Sequence, residues 1–275
     1  MSTAAGVIGL GEMGGPIVRH WLDDGYEVHA FDLDREKVAA AVEAGAEPAD
    51  SVSDLAGHCD LILVVVGTGD QVEETLFGDG GVADGVSADD AIVVSSTVHP
   101  ERCVDWSNRL PAGIGLVDAP IARGRSIEDR DALVFAGGPD DVVERVVPLL
   151  ETFSRDVVHL GDTGTGQMGK AANNHLLWAC HTANYEALRL ADAYGVDTDR
   201  LREGLKQSSG DNYALHRWEK ATGKWADDDL RIVAELADEY DVALPQTELT
   251  RDAMATLEME DIWTLTPVDY RDVSE

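Results

Sequence analysis

A glycine-rich turn near the start of the chain has the residue types and the spacing that bind phosphate. Residues 7–14 read Val-Ile-Gly-Leu-Gly-Glu-Met-Gly, so the pattern G-x-G-x-x-G follows an apolar run typical of a strand and precedes a helical pattern. The first glycine permits a tight turn, the second lets the backbone approach a pyrophosphate, and the third lets helix and strand pack closely. The turn is predicted to bind a dinucleotide at a helix N-terminus; a turn of purely structural role is the alternative. The residues predicted to bind the cofactor here are Gly9, Leu10, Gly11, Glu12, Met13 and Gly14.

An acidic residue follows the glycine turn at the distance typical of residues that bind the adenosine ribose. Asp32 stands about 20 residues further on, at the end of the second predicted strand. Its carboxylate can accept hydrogen bonds from the ribose hydroxyls and would repel a 2′-phosphate. The pattern therefore favours NAD as the cofactor over NADP, which stays the alternative because Arg35 lies three residues later.

The elements that must position these residues alternate between short apolar strands and helices over the first 160 or so residues, a pattern typical of a parallel sheet with crossover helices. The run from Leu61 to Val66 is apolar on both faces, as expected of a central strand covered by helices on each side. We therefore predict an α/β fold, with a Rossmann-type, doubly wound parallel sheet in a dinucleotide-binding domain over residues 1–162. The predicted strands are Ala5–Ile8, Glu27–Phe31, Asp60–Val66, Ala91–Ser95, Gly115–Val117, Ala132–Ala136 and Asp156–His159.

The remainder of the chain is predicted to be helical. Residues 167–194 contain no proline and a single glycine, with Leu, Ala and aromatic residues at helical spacing, which predicts one long helix. Further helices are predicted at Thr198–Gln207, Trp225–Tyr240 and Glu248–Glu260. An all-helical C-terminal domain over residues 163–275 is therefore expected. An apolar stripe on the long helix predicts a packing partner, either other helices of this domain or a second subunit; it comprises Leu176, Cys180, Ala183 and Ala187.

Composition limits the partners. The 275 residues include 21 Lys and Arg against 53 Asp and Glu, a formal net charge of −32, and such a surface repels nucleic-acid backbones and anionic membranes. The acidic, lysine-poor composition is typical of halophilic proteins, whose charges are screened by salt. No signal peptide or membrane span is apparent, and the three cysteines predict free thiols, so we expect a cytoplasmic protein. No Cys or His spacing indicates a metal site.

Two further motifs, together with the glycine turn and Asp32, resemble the β-hydroxyacid dehydrogenases, the family of 3-hydroxyisobutyrate dehydrogenase and 6-phosphogluconate dehydrogenase. They are Asp118-Ala-Pro120 and Gly164-Thr-Gly-Gln-Met-Gly-Lys170-Ala-Ala-Asn-Asn174. The resemblance implies an NAD-dependent oxidoreductase that transfers a hydride between nicotinamide and a small β-hydroxy acid or its semialdehyde. It also implies a helical domain that contributes to binding a small anionic substrate and forms homodimers or homotetramers.

Lys170 resembles the catalytic lysine of the family, and Asn174 resembles its substrate-binding asparagine. Four residues apart on a helix, their Cβ atoms would lie about 5–6 Å from each other on one face. A lysine there can act as general acid or base while the hydride moves. Val66 and Thr97 match positions that lie against the cofactor in this family; for Thr97, capping the helix ahead of Pro100 is the alternative.

Two departures from the family pattern bear on the substrate. Where the family commonly has Ser-Gly-Gly after Asp-Ala-Pro-Val, this chain has Ala122, Arg123 and Gly124, the residues predicted to bind the substrate together with Asn174. A guanidinium can make two hydrogen bonds to an acidic group, so Arg123 favours a second carboxylate, a sulfonate or a phosphate on the substrate. That would resemble the branch of sulfolactaldehyde reductase, or 6-phosphogluconate dehydrogenase.

The alternative for Arg123 is a surface ion pair with a nearby acid such as Glu128. The second departure is Asp228, which stands where the family usually has a lysine and cannot replace that lysine beside an anionic ligand.

Two other functions are compatible with the sequence. Imine reductases share the expected fold but usually carry Asp or Tyr at the position of Lys170, which counts against them. A non-catalytic dinucleotide-binding scaffold would explain Asp228, whereas the presence of Lys170 and Asn174 counts against it.

Overall fold

The computed structural model describes residues 4–220 and 222–267, apart from the side chain of Arg125. The chain divides after Lys170 into two units. The first contains a mostly parallel sheet with helices on both faces, and the second is helical, which confirms the predicted fold class.

The sheet of the first unit comprises nine strands within the described residues. They are β1 (Ala4–Ile8), β2 (Glu27–Phe31), β3 (Glu47–Pro48), β4 (Leu61–Val64), β5 (Ala91–Val94), β6 (Gly115–Asp118), β7 (Ile121–Ala122), β8 (Ala132–Gly137) and β9 (Ser154–Gly161). Their order is β3-β2-β1-β4-β5-β6-β8-β7, with β9 paired to β8. Strands β1 to β6 run parallel, and β8 runs antiparallel to both β6 and β7. The strand order reverses between β1 and β4, and ligands of such sheets bind beyond the carboxyl ends of the strands at that point.

Helices cover the two faces of this sheet with separate apolar clusters. They are α1 (Gly14–Asp23), α2 (Arg35–Ala44), α3 (Val52–Ala56), α4 (Gly69–Phe77), α5 (Val82–Gly85), α6 (Pro100–Arg109) and α7 (Asp140–Leu150). Helices α1, α2 and α7 pack on one face, with Trp21 fully buried, and α3 to α6 pack on the other, with Trp106 fully buried. All of β4 is buried, and its alternate residues join opposite clusters, which confirms that this strand is covered on both sides.

The long helix predicted over residues 167–194 is confirmed as α8 (Thr165–Tyr194). The second unit continues with α9 (Thr198–Leu205), α10 (Tyr213–His216), α11 (Ala226–Glu239), α12 (Pro245–Thr256) and α13 (Met259–Thr264). Its core contains Trp178 and Leu188 of α8 together with Trp218, Leu230 and Ile262. Among the described residues, no helix combines the length and the hydropathy that crossing a bilayer would require.

One predicted helix is wrong in its bounds. The segment predicted as Glu248–Glu260 forms two helices, because the chain is extended at Leu257 and Glu258. Glu258 then begins α13 with a capping box, in which its side chain and that of Asp261 each accept a hydrogen bond from the other residue's backbone. The segment lacks glycine and proline in its interior, so its helical periodicity gave no sign of this break.

Candidate active site

The glycine turn joins β1 to α1 and combines two structural glycines with one that leaves open space. Gly9 has a φ of 97°, and a Cβ there would lie 2.3 Å from the carbonyl oxygen of Val65. A Cβ at Gly14 would lie 1.9 Å from the carbonyl oxygen of Gly9, whereas a Cβ at Gly11 would meet no heavy atom of the described chain within 4 Å. The fold itself therefore requires Gly9 and Gly14, and Gly11 leaves room for a pyrophosphate.

The start of α1 fits an anion. No described side chain caps this helix, whose N-cap position is held by the partly buried Met13 next to the exposed Glu12. Met13 therefore offers no side-chain acceptor to the backbone N–H groups of the first turn, and uncapped N–H groups at a helix start bind phosphate. The open space at Gly11 and this uncapped helix start together fit the pyrophosphate of a dinucleotide.

Asp32 connects the end of β2 to the glycine turn. One of its carboxylate oxygens accepts a hydrogen bond from Leu10 N at 2.7 Å, and the other accepts one from Asp34 N at 2.8 Å. Lys37 Nζ lies 3.7 Å from the first of these oxygens. Each oxygen of a carboxylate has two acceptor directions, so both can also accept from ribose hydroxyls. The structure thus places the predicted ribose-binding acid beside the predicted phosphate-binding turn.

The loops after β4 and β5 carry Val66 and Thr97, and hydrogen bonds connect them. Ser96 Oγ donates to the carbonyl oxygen of Val66 at 2.8 Å and accepts from its N–H at 2.9 Å. The predicted alternative for Thr97, capping α6, is wrong: His99 directly precedes Pro100 and is the N-cap, its Nδ1 accepting from Glu101 N at 3.4 Å. Nothing in the sequence assigned a role to Ser96, whose contact with Val66 depends on strand pairing rather than on local pattern.

The first turn of α8 is anchored to the sheet, and Lys170 follows in the second turn. Asp118, fully buried at the end of β6, accepts hydrogen bonds from Gly164 N at 2.5 Å and Gln167 N at 2.6 Å. Burial raises the pKa of Asp118 to about 6, although these backbone N–H donors act to lower it. Lys170 is half-buried, and its Nζ donates to the carbonyl oxygen of Ile121 at 2.9 Å. The amine therefore lies at the loop that follows β6.

That loop contains the three residues predicted to bind the substrate. Ala122 is buried in β7, and a Cβ at Gly124 would lie 2.6 Å from Met13 Cε, so the loop packs against the glycine turn. Arg123 adopts the left-handed conformation with a φ of 57°, which glycine adopts more easily than arginine. Its guanidinium forms an ion pair with Asp131.

Glu128 is therefore not the acid that pairs with Arg123 in the structure. It lies 2.7 Å from Arg19, while Asp131 also pairs with Arg155 at 3.2 Å. The ion pair expected in the alternative interpretation of Arg123 is present, with Asp131 as the partner in place of the suggested Glu128.

The second unit contains Asn174 and Asp228. Asn174 is 1% exposed; its side-chain oxygen accepts from Asn173 at 3.1 Å, and its Nδ2 has no hydrogen-bond partner within the described part of the chain. Asp228 is exposed in the first turn of α11 and pairs with Arg231 at 3.3 Å. Its neighbour Asp229 accepts a hydrogen bond from Trp178 Nε1 at 3.0 Å, which ties α11 to α8.

Comparison with known proteins identifies relatives for both units. The family model described as the NAD binding domain of 6-phosphogluconate dehydrogenase matches residues 4–161. The model described as NAD-binding of NADP-dependent 3-hydroxyisobutyrate dehydrogenase matches residues 164–262. The chain is 36% identical to 3-hydroxyisobutyrate dehydrogenase of Pseudomonas aeruginosa over 76% of this chain and 71% of the relative.

Two further similarities cover nearly the whole chain. It is 34% identical to 2-(hydroxymethyl)glutarate dehydrogenase of Eubacterium barkeri over 93% of this chain and 87% of the relative. The solved structure of 3-hydroxyisobutyrate dehydrogenase of Mycobacterium tuberculosis with L-serine matches with a TM-score of 0.88 at 20% identity, covering 97% of this chain and 100% of that one. At that identity the structural match supports the fold alone.

Proposed function

Because the chain belongs to the β-hydroxyacid dehydrogenases, a family of NAD(P)-dependent enzymes, we propose that it transfers a hydride between NAD and a small β-hydroxy acid or its semialdehyde, with Lys170 as general acid or base. The observation that carries this proposal is the hydrogen bond from Lys170 Nζ to the carbonyl oxygen of Ile121. It holds the amine at the loop that packs against the glycine turn through Gly124 and Met13. A lysine extended into solvent could not take this role.

The proposed chemistry divides between the cofactor and the side chains. NAD, when bound, supplies the hydride acceptor or, in its reduced form, the donor. The ammonium of Lys170 can donate a proton to a carbonyl oxygen during reduction, and the neutral amine can accept the hydroxyl proton during oxidation. The buried Nδ2 of Asn174, one helical turn further along α8, is available to donate to a substrate oxygen.

We favour NAD over NADP because the carboxylate of Asp32 is held at the glycine turn, where it would repel a 2′-phosphate. Lys37, at 3.7 Å from that carboxylate, reduces this repulsion but does not remove it. The test is the ratio of kcat/KM for the two cofactors. Asp32→Asn should shift the ratio toward NADP by tenfold or more, and a wild-type preference for NADP would refute the assignment.

A second acidic group on the substrate is the specific alternative, and Arg123 in the loop after Ile121 favours it. The relative named for 2-(hydroxymethyl)glutarate has a dicarboxylate in its name, which supports testing diacids. Because Asp131 already pairs with Arg123, a substrate anion must share or replace that contact. Arg123→Gln should raise KM for a diacid at least tenfold while leaving KM for 3-hydroxyisobutyrate within threefold; equal effects on both would refute this role.

We also propose that the chain forms a homodimer or homotetramer through α8. Leu176, Leu190 and Tyr194 of this helix are 63%, 76% and 89% exposed and recur at helical spacing with Ala183 and Ala187. Exposed apolar side chains in such a row are typical of a subunit contact. Leu190→Glu should therefore reduce the mass measured by analytical ultracentrifugation, and a monomeric wild type would refute the proposal.

The decisive experiment is a screen of NAD and NADP reduction with β-hydroxy acids, and of NADH oxidation with their semialdehydes, in molar salt. Lys170→Met should lower kcat by about 10²–10⁴-fold, the usual contribution of general acid–base catalysis. The affinity for NADH, measured by fluorescence titration, should stay within threefold of the wild-type value. Turnover that survives Lys170→Met would refute the role of the lysine, whereas NADH binding without turnover in the wild type would favour the scaffold.

A further inference from the structure

The buried side-chain amide of Gln167 joins two segments of the candidate site. Gln167 is 1% exposed and lies in the first turn of α8. Its Oε1 accepts a hydrogen bond from Val98 N at 3.0 Å, and its Nε2 donates to the carbonyl oxygen of Ser96 at 2.8 Å. The two backbone groups stand on either side of Thr97. The side-chain amide of Gln167 therefore binds the residues before and after Thr97, which is the residue expected to lie against the cofactor.

Further hydrogen bonds connect Gln167 and Ser96 to the other loops of the site. Ser96 binds both backbone groups of Val66 through its hydroxyl, and the backbone N–H of Gln167 donates to Asp118 at 2.6 Å. Lys170 follows Gln167 by three residues on the same helix, about 4.5 Å away along the axis at 1.5 Å per residue. The position of Thr97 with respect to Lys170 is thus set through the side chain of Gln167.

We propose that Gln167 is a positioning residue, which aligns the Thr97 loop with the amine of Lys170 and thereby aligns hydride transfer with proton transfer. The proposal rests on the proposed function and extends it to a side chain that is buried against the backbone of Ser96 and Val98. Reacting groups must be held within fractions of an ångström, and a displacement of about 1 Å can cost on the order of 10²-fold in rate. The buried amide of Gln167 donates to Ser96 and accepts from Val98, so two hydrogen bonds together restrain the loop between them.

Only a group that both donates and accepts satisfies Ser96 and Val98 together. Methionine has a similar length and makes neither bond. An ionised glutamate can still accept from Val98 N, but it would face the carbonyl oxygen of Ser96 with a second acceptor. A protonated glutamate can donate to that oxygen, so Gln167→Glu should regain function as the pH falls.

The test compares Gln167→Met and Gln167→Glu with the wild type in molar salt, using the substrate identified by the screen. For Gln167→Met we expect kcat to fall 10–100-fold, with KM and the Kd of NADH within threefold of wild type. The primary deuterium isotope effect on kcat should increase, because hydride transfer becomes more rate-limiting. For Gln167→Glu we expect kcat to rise at least fivefold between pH 8 and pH 5.5 relative to wild type. Gln207→Met replaces an exposed glutamine two residues after the end of α9; it is the matched control and should change none of these values.

Three results would overturn the proposal. A wild-type kcat in Gln167→Met would show that the residue is dispensable. A loss of kcat that is explained by weaker NADH binding would show a role in cofactor binding only. Failure of both variants to fold would show a purely structural role. Lys170→Met separates this proposal from the one on which it rests. If that variant turns over normally, the proposed function is wrong; if it is inactive while Gln167→Met is fully active, only the positioning role is wrong.

Discussion

Replacing Gly11 with alanine separates what the glycine turn contributes to folding from what it contributes to dinucleotide binding. A Cβ at this position meets no heavy atom of the described chain within 4 Å, and its φ lies outside the left-handed region. Alanine also reduces the conformational entropy of the unfolded chain. We therefore expect Gly11→Ala to raise the free energy of unfolding by about 0.4–1 kcal/mol.

The same methyl group would occupy the space into which the pyrophosphate must fit. We expect the affinity for NADH to fall at least tenfold, which corresponds to about 1.4 kcal/mol of binding free energy. Fluorescence titration measures the affinity, and urea unfolding measures the stability. A protein that gains stability while it loses its ligand would show that Gly11 is retained for binding.

Gly204→Ala is the matched control for this substitution. Gly204 lies exposed in α9, where an added Cβ also meets nothing within 4 Å. It should give a comparable gain in stability with unchanged NADH binding. If Gly11→Ala binds NADH as tightly as this control does, the assignment of the turn to the pyrophosphate is refuted.

The features predicted correctly from the sequence are those that depend on neighbouring residues. The glycine turn, the buried strand from Leu61 and the long helix all follow from residue type and local periodicity. Each of these is decided within one turn of helix or one strand.

The features that the sequence did not reveal depend on residues far apart in the chain. Gln167 forms hydrogen bonds with Ser96 and Val98, which lie some 70 residues away in the sequence. No local sequence pattern indicates that a glutamine makes such long-range contacts. The sequence alone does not predict which acid pairs with Arg123, because a chain of charge −32 offers many acids nearby. The conformation of the loop in the structure brings Asp131 to it. Sequence can therefore propose which residues do the chemistry, whereas the residues that align them appear only once the sheet brings its loops together.

Three further predictions follow from the charges and the burial of the chain. Raising KCl from 0.1 M to 2 M should raise the Tm by more than 10 °C, because counterions screen the repulsion among 53 acidic residues, and a constant Tm would contradict the halophilic interpretation. Burial lowers the pKa of His181 from 6.5 to about 4, so its neutral form stabilises the fold above pH 6.5, and up to about 3 kcal/mol is lost as the pH falls through 4. In urea unfolding, His181→Leu should remove that share of the acid sensitivity.

Asp118 should make the fold more stable in acid, the opposite of the effect of His181. Because burial raises the pKa of Asp118 from 3.8 to about 6, its contribution to stability is present below pH 3.8 and is lost as the pH rises through 6. The free energy of unfolding of the wild type, minus that of Asp118→Asn, should therefore increase by up to about 3 kcal/mol between pH 7 and pH 4. A difference that stays constant, or that decreases on acidification, would mean that the backbone N–H groups of Gly164 and Gln167 outweigh the loss of hydration at this carboxylate.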